Sequence, residues 1–114
     1  MNNIKKRAKE KKIKIIEDCS QAHGASITNQ QVATWSFCTD KIISTLGEGG
    51  MISTNNKSIY KICNEYINHG TTSLKIKKSE RFIYNKNSFG TNMRITEIQS
   101  IAGLEQLKNL RRIQ

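Results

Sequence analysis

The sequence predicts an α/β fold, because short runs rich in β-branched and aromatic residues alternate with stretches of helical period. Three observations carry that expectation. Ile13-Lys14-Ile15-Ile16 is a β-branched run suited to a buried strand; Ile59, Ile62, Cys63, Tyr66 and Ile67 recur at i, i+3, i+4, i+7 and i+8; and Gly47-Glu48-Gly49-Gly50 is a turn leading into a further strand-like run. In sheets of this kind ligands gather at the carboxyl ends of the strands.

Taken in chain order, residues 3–11 read as the end of a helix, with Ile4 and Ala8 spaced i, i+4. The first strand, over 13–16, runs into Glu17-Asp18, which sets a carboxylate at its carboxyl end. Residues 32–38 (Val-Ala-Thr-Trp-Ser-Phe-Cys) make a second strand and Met51-Ile52-Ser53-Thr54 a third. A helix over 57–68 is ended by His69-Gly70. Residues 71–91 lack periodicity and are rich in Lys, Ser and Asn, which reads as a long surface loop. Thr96 followed by Gln99 is a capping box, opening a helix that runs to the chain end with Ile98, Ile101, Leu104, Leu107 and Leu110 along one side.

The 114 residues suit one domain or part of one. Their longest unbroken apolar run is Phe82-Ile83-Tyr84, far short of a membrane span, so a soluble chain is expected. The basic start has no apolar core or small-residue cleavage site and is not a secretory signal. Cys19, Cys38 and Cys63 are odd in number and far apart, which supports neither a disulfide framework nor a zinc site and fits a reducing cytoplasm.

Lys and Arg outnumber Asp and Glu by 19 to 9, for a net charge of +10, which makes nucleic acid or an acidic membrane surface the first partners to consider. The charge is uneven. Residues 1–14 carry +6 and residues 74–86 carry +4, whereas residues 15–73 carry −2. With little aromatic interleaving to stack bases, both basic stretches read more simply as solvated surface.

One constellation rises above this background: Asp18, Gln21 and His23 after the first strand, Ser36 in the second, and Lys41 before the glycine turn. A lysine forms a Schiff base with an aldehyde, and a pyridoxal phosphate site also needs an anion at the pyridinium nitrogen, donors for the phosphate and a partner for the ring oxygen. Asp18, Ser36 and Gln21 offer those groups. Taken singly, each has an ordinary alternative: a strand-end cap, a strand filler, a solvated turn residue.

Ile15-Ile16-Glu17-Asp18-Cys19-Ser20-Gln21-Ala22-His23-Gly24-Ala25, then Trp35-Ser36-Phe37-Cys38-Thr39-Asp40-Lys41, then Gly47-Glu48-Gly49-Gly50 closely resemble the DegT/DnrJ/EryC1/StrS family, as do Asn68-His69-Gly70 and the run Gly90 to Gln99 in the same order. That family comprises pyridoxal-phosphate-dependent aminotransferases acting on keto groups of nucleotide-linked sugars. The resemblance implies the fold-type-I transferase architecture, of which residues 1–114 would be a central fragment of the cofactor-binding large domain, with its upstream part and the C-terminal small domain absent.

Carried over by position, the resemblance gives Lys41 the role of Schiff-base lysine, Asp18 that of pyridinium partner and Gln21 a place beside the ring oxygen. Ser36 becomes a phosphate ligand, and Asn92 the residue that reaches the phosphate of the partner subunit in a homodimer. His23 has no role beyond shaping the turn. A related branch that catalyses dehydration carries histidine at the lysine position, so Lys41 points to transamination. The implied reaction moves an amino group, from glutamate in most of the family, to a keto nucleotide sugar in polysaccharide or surface-glycan biosynthesis, with Lys41 as the base for the proton shift. No metal is implied. The alternative from composition is a small basic nucleic-acid-binding module without catalytic activity.

Three departures from the family pattern stand out. Cys38-Thr39-Asp40 precedes the lysine where many members have a proline, and Leu46 stands where a small residue is frequent. The third is length: Met1-Asn2-Asn3-Ile4 resembles an interior stretch, so the chain alone is expected to have little or no activity and to expose open sheet edges.

Overall fold

The computed structural model describes residues 2–25, 32–71 and 86–113. The predicted loop thus lies largely outside the described residues, as do most of its basic side chains.

Helix α1 (Asn2–Glu10) is followed by β1 (Glu17–Asp18), β2 (Ala33–Ser36), β3 (Gly50–Ser53), α2 (Lys57–Ile67), α3 (Glu97–Lys108) and a single turn, α4 (Leu110–Ile113). The strands form one mixed sheet in the order β1-β2-β3. β1 runs parallel to β2 with Glu17 opposite Ala33 and Asp18 opposite Thr34, and β3 returns antiparallel with Thr34 opposite Ile52 and Ser36 opposite Gly50. Because side chains alternate along a strand, this register places Asp18, Thr34 and Ser36 on one face and Glu17, Ala33 and Trp35 on the other.

The first strand differs from the sequence expectation. Ile13 and Ile16 are 60% and 68% exposed, and the ladder begins only at Glu17. Ile13 is committed elsewhere: its amide donates to Ala8 O at 2.8 Å while Lys12 takes a left-handed φ of 54°, the arrangement that closes a helix by a six-to-one bond. α2 closes in the same way. Gly70 N donates to Glu65 O at 2.8 Å, with His69 and Gly70 both at positive φ, so His69-Gly70 ends the helix as expected. At its start Asn56 Oδ1 accepts from the amides of Ser58 and Ile59.

α3 opens on the predicted capping box. Thr96 Oγ1 accepts from Gln99 N at 3.3 Å and Thr96 N donates to Gln99 Oε1 at 3.1 Å. The helix does not run unbroken to the chain end. At Asn109 the side-chain amide donates to Glu105 O at 2.9 Å, competing for a helical carbonyl, and a separate turn follows. The apolar line also behaves differently from a core-facing stripe. Ile98, Ile101, Leu104 and Leu107 all stay exposed, because steps of three drift around a 3.6-residue helix, and Leu104, Leu107 and Leu110 border an open cavity of about 470 Å³ with Trp35, Phe37 and Met51. The long-range hydrogen bonds of α3 come from Gln99 and Gln106, and its close approach to Thr45 from Gly103.

Candidate functional site

Asp18 ends β1 beside β2, and Cys19 N continues the ladder to Thr34 O at 2.8 Å. One carboxylate oxygen, Oδ1, accepts from Ser20 N at 3.0 Å and Ser20 Oγ at 2.6 Å. These two bonds hold the Asp18 carboxyl below its ordinary range against an opposing desolvation, with the positive charge of Lys41 the least of the contributions. Its Oδ2 has no hydrogen bond among the described residues. A deprotonated carboxylate, one oxygen anchored and the other available, is the acceptor that a protonated ring nitrogen requires.

Ser36, on the same face, lies one strand over and two residues along, roughly 8 Å away between Cα atoms from strand spacing and rise. Ser36 Oγ accepts from Cys38 N at 3.4 Å, which leaves the hydroxyl proton to donate to another group. The chain then turns: Lys41 N donates to Cys38 O at 3.1 Å, closing a four-residue turn that returns Lys41 toward β1. The Lys41 side chain is only 14% exposed, with Nζ 3.8 Å from Asp40 Oδ2. Sequence position suggests a solvated lysine; the structure instead keeps most of its side chain from water.

The segment after Lys41 is braced from both sides. Thr45 N donates to Phe37 O at 3.0 Å and Phe37 N to Gly49 O at 2.8 Å, while a Cβ at Gly49 would strike the Thr45 hydroxyl. From α3, Gln106 Oε1 accepts from Ser44 N at 2.7 Å and Gln99 Nε2 donates to Glu48 O at 2.9 Å. Neither long-range contact was foreseen from sequence. The clue was present in retrospect, since Gln99, Gly103 and Gln106 stand at i, i+4 and i+7 on one helix face.

The remaining candidates separate. Gln21 is exposed in the turn after β1 and makes no hydrogen bond among the described residues. His23 is buried on the opposite face, its ring 5.8 Å from that of Trp35 and 5.9 Å from that of Phe37, in keeping with a packing role. Asn92 lies apart from the lysine turn, bridged to Asn68 at the end of α2, and its Oδ1 accepts from Arg94 N and Nε at 3.3 and 3.2 Å. None of these contacts reaches Asp18, Ser36 or Lys41.

Cys19 is buried, and burial followed by the neighbouring Glu17 and Asp18 charges pushes its thiol up, so it is an inert packing residue. Among the described residues no helix is long and apolar enough to cross a membrane.

This geometry accords with what known proteins show. The chain is 34% identical over 114 residues to the GDP-perosamine synthase of Escherichia coli O157:H7, a match covering 95% of this chain and 29% of that protein. The X-ray structure of an aminotransferase from Psychrobacter cryohalolentis superposes with a TM-score of 0.87 at 35% identity, covering 97% of this chain and 30% of that one. A Bacillus subtilis protein, NtdA, solved with bound cofactor PMP, superposes with a TM-score of 0.76 at 28% identity over 96% of this chain and 24% of that one. The chain thus spans under a third of the length of these relatives, matching part of the large domain of a pyridoxal-phosphate-dependent transferase. The comparisons lend nothing to the nucleic-acid reading of the +10 charge. The family model matches residues 1–114 throughout, and the chain belongs to the DegT/DnrJ/EryC1/StrS aminotransferase family.

Proposed function

We propose that these residues form the central, cofactor-binding part of an aminotransferase that uses pyridoxal 5′-phosphate to aminate a keto nucleotide sugar, with glutamate as donor. The observation that carries the reading is the pairing of β1 with β2, which sets the anchored Asp18 carboxylate and the Ser36 hydroxyl on one face at the carboxyl ends of two parallel strands, with the largely buried Lys41 on the turn that follows. The relatives' names support the sugar class, and the PMP found in one of them supports the cofactor.

Pyridoxal phosphate would supply an aldehyde for amine linkage and a ring that accepts the electron pair left when the amine-bearing carbon loses its proton. The residues present fit it. Asp18 Oδ2 would hold a proton at the ring nitrogen, and Ser36 Oγ would donate to the phosphate. Gln21 would stand by the ring oxygen. Lys41 Nζ would be the amine that holds the aldehyde and the base available to move a proton beside it. Asn92 would serve the phosphate of a partner subunit, since its side chain is exposed and makes no contact with Asp18, Ser36 or Lys41. A cytoplasmic setting suits the three free cysteines.

Purified with pyridoxal phosphate and treated with borohydride, the chain is expected to carry a reduced adduct on Lys41 that disappears in Lys41→Ala. An equal adduct in Lys41→Ala would remove Lys41 from the mechanism. By itself the 114-residue chain is expected to show little or no amino transfer, because the relatives it matches are more than three times as long.

A further inference from the structure

We propose that Cys38 and Asp40 form a holding position for the Lys41 ammonium, with Asp40 as the positioning residue and the Cys38 thiol fixing its carboxylate. The inference rests on the reading of Lys41 as the Schiff-base lysine and deepens it by naming where the amine stays when it is not bonded to a carbonyl carbon.

All three side chains come from the one turn closed by the bond from Lys41 N to Cys38 O. The two oxygens of Asp40 are divided between its neighbours. Cys38 Sγ donates to Oδ1 at 2.6 Å, and Lys41 Nζ stands 3.8 Å from Oδ2. A separation of 3.8 Å is too long for a hydrogen bond, so the attraction is electrostatic and leaves the ammonium hydrogens uncommitted to Asp40. That suits an amine which must leave and return during each turnover: it is kept near the site without a bond that has to be broken.

The thiol matters because Asp40 is otherwise poorly constrained. Its side chain is 72% exposed, and an exposed carboxylate samples several rotamers unless something fixes it. With Oδ1 tied to Cys38, Oδ2 is aimed at Lys41. The thiol bond and then the Lys41 charge both hold the Asp40 carboxyl below its ordinary range, so it is an anion wherever the protein would work.

The contact can be read without cofactor. The whole chain is pulsed with trace acetic anhydride, quenched, denatured and fully labelled with the deuterated reagent, and each lysine's reactivity is taken from the isotope ratio. Lys57 and Lys61 serve as internal references, and far-UV circular dichroism confirms that each variant keeps its helices. Relative to those references Lys41 is expected to react about threefold faster in Asp40→Asn, the scale of a partly exposed ion pair. Cys38→Ala is expected to move it in the same direction, and Cys38→Ser, which keeps a donor, to restore the parent rate. A Lys41 rate unchanged in Asp40→Asn, or a Cys38→Ser variant that behaves as Cys38→Ala, overturns the proposal. Since acetylation involves no pyridoxal phosphate, a normal acetylation result with no borohydride-trapped adduct would overturn the cofactor reading, and the positioning role with it.

Discussion

The side-chain oxygen of Gln106 accepts from the amide of Ser44 at 2.7 Å, a bond joining residues 62 apart that fastens α3 to the segment following Lys41. Gln106→Ala leaves that amide without its partner in a half-buried place. The expected cost is about 1 kcal/mol, read as a lowered urea midpoint with unchanged slope. No change in midpoint would mean that water replaces the glutamine at no loss.

Gly103 sits where α3 passes Thr45, and a Cβ there would lie 2.9 Å from Thr45 Cγ2. Thr45 is 2% exposed with its hydroxyl on Phe37 O, so it cannot swing aside. Alanine would gain up to about 1 kcal/mol in helix propensity and lose about 1–3 to overpacking. Gly103→Ala is therefore expected to destabilise the chain by about 1 kcal/mol, and a stabilised variant would show that α3 can shift without cost.

Leu46 has a left-handed φ of 62° and is 66% exposed, so its side chain gains little from burial while its backbone is strained. Leu46→Gly relieves a cost of about 1–2 kcal/mol. A rise in thermal midpoint is expected, together with slower exchange of the Thr45 amide. A fall would show that the Leu46 side chain has a packing partner that outweighs the strain.

Asp18 makes a pH prediction with a definite sign. Its folded value lies below the ordinary 3.8, because of the two Ser20 bonds first and Lys41 last. A depressed carboxyl contributes stability that is fully present above 3.8 and is lost as pH falls through the lower folded value. Carbon-detected titration of the Asp18 carboxyl should place its midpoint below that of a flexible aspartate, and Ser20→Ala should raise it. A midpoint at the ordinary value in the parent chain would dismiss the anchored carboxylate.

Much of this was legible in the residues themselves. The cap at Thr96 and Gln99, the stop at His69-Gly70 and the strand holding Trp35 and Ser36 depend on local chemistry, and each stands where the sequence puts it. What escaped was non-local. Nothing in Ile13-Lys14-Ile15-Ile16 announces that the amide of Ile13 closes α1, or that β2 meets the chain only from Glu17 onward. Hydrophobic spacing drew attention to the leucines of α3, yet that helix makes its long-range hydrogen bonds through two glutamines and approaches Thr45 through a glycine. Of the candidate site, motif order brought Asp18, Ser36 and Lys41 forward together; the division of Asp40 between Cys38 and Lys41 needed coordinates.

The sheet register has a consequence for how this chain can vary. Asp18 faces the same way as Ser36 only because β1 and β2 are paired in one phase, and a shift of a single residue would send the two side chains to opposite sides of the sheet. Replacements in the segments on either side can therefore be numerous, whereas a net insertion or deletion of one residue within 17–18 or 33–36 would separate the carboxylate from the hydroxyl with every other residue intact. The site is protected by counting as much as by chemistry.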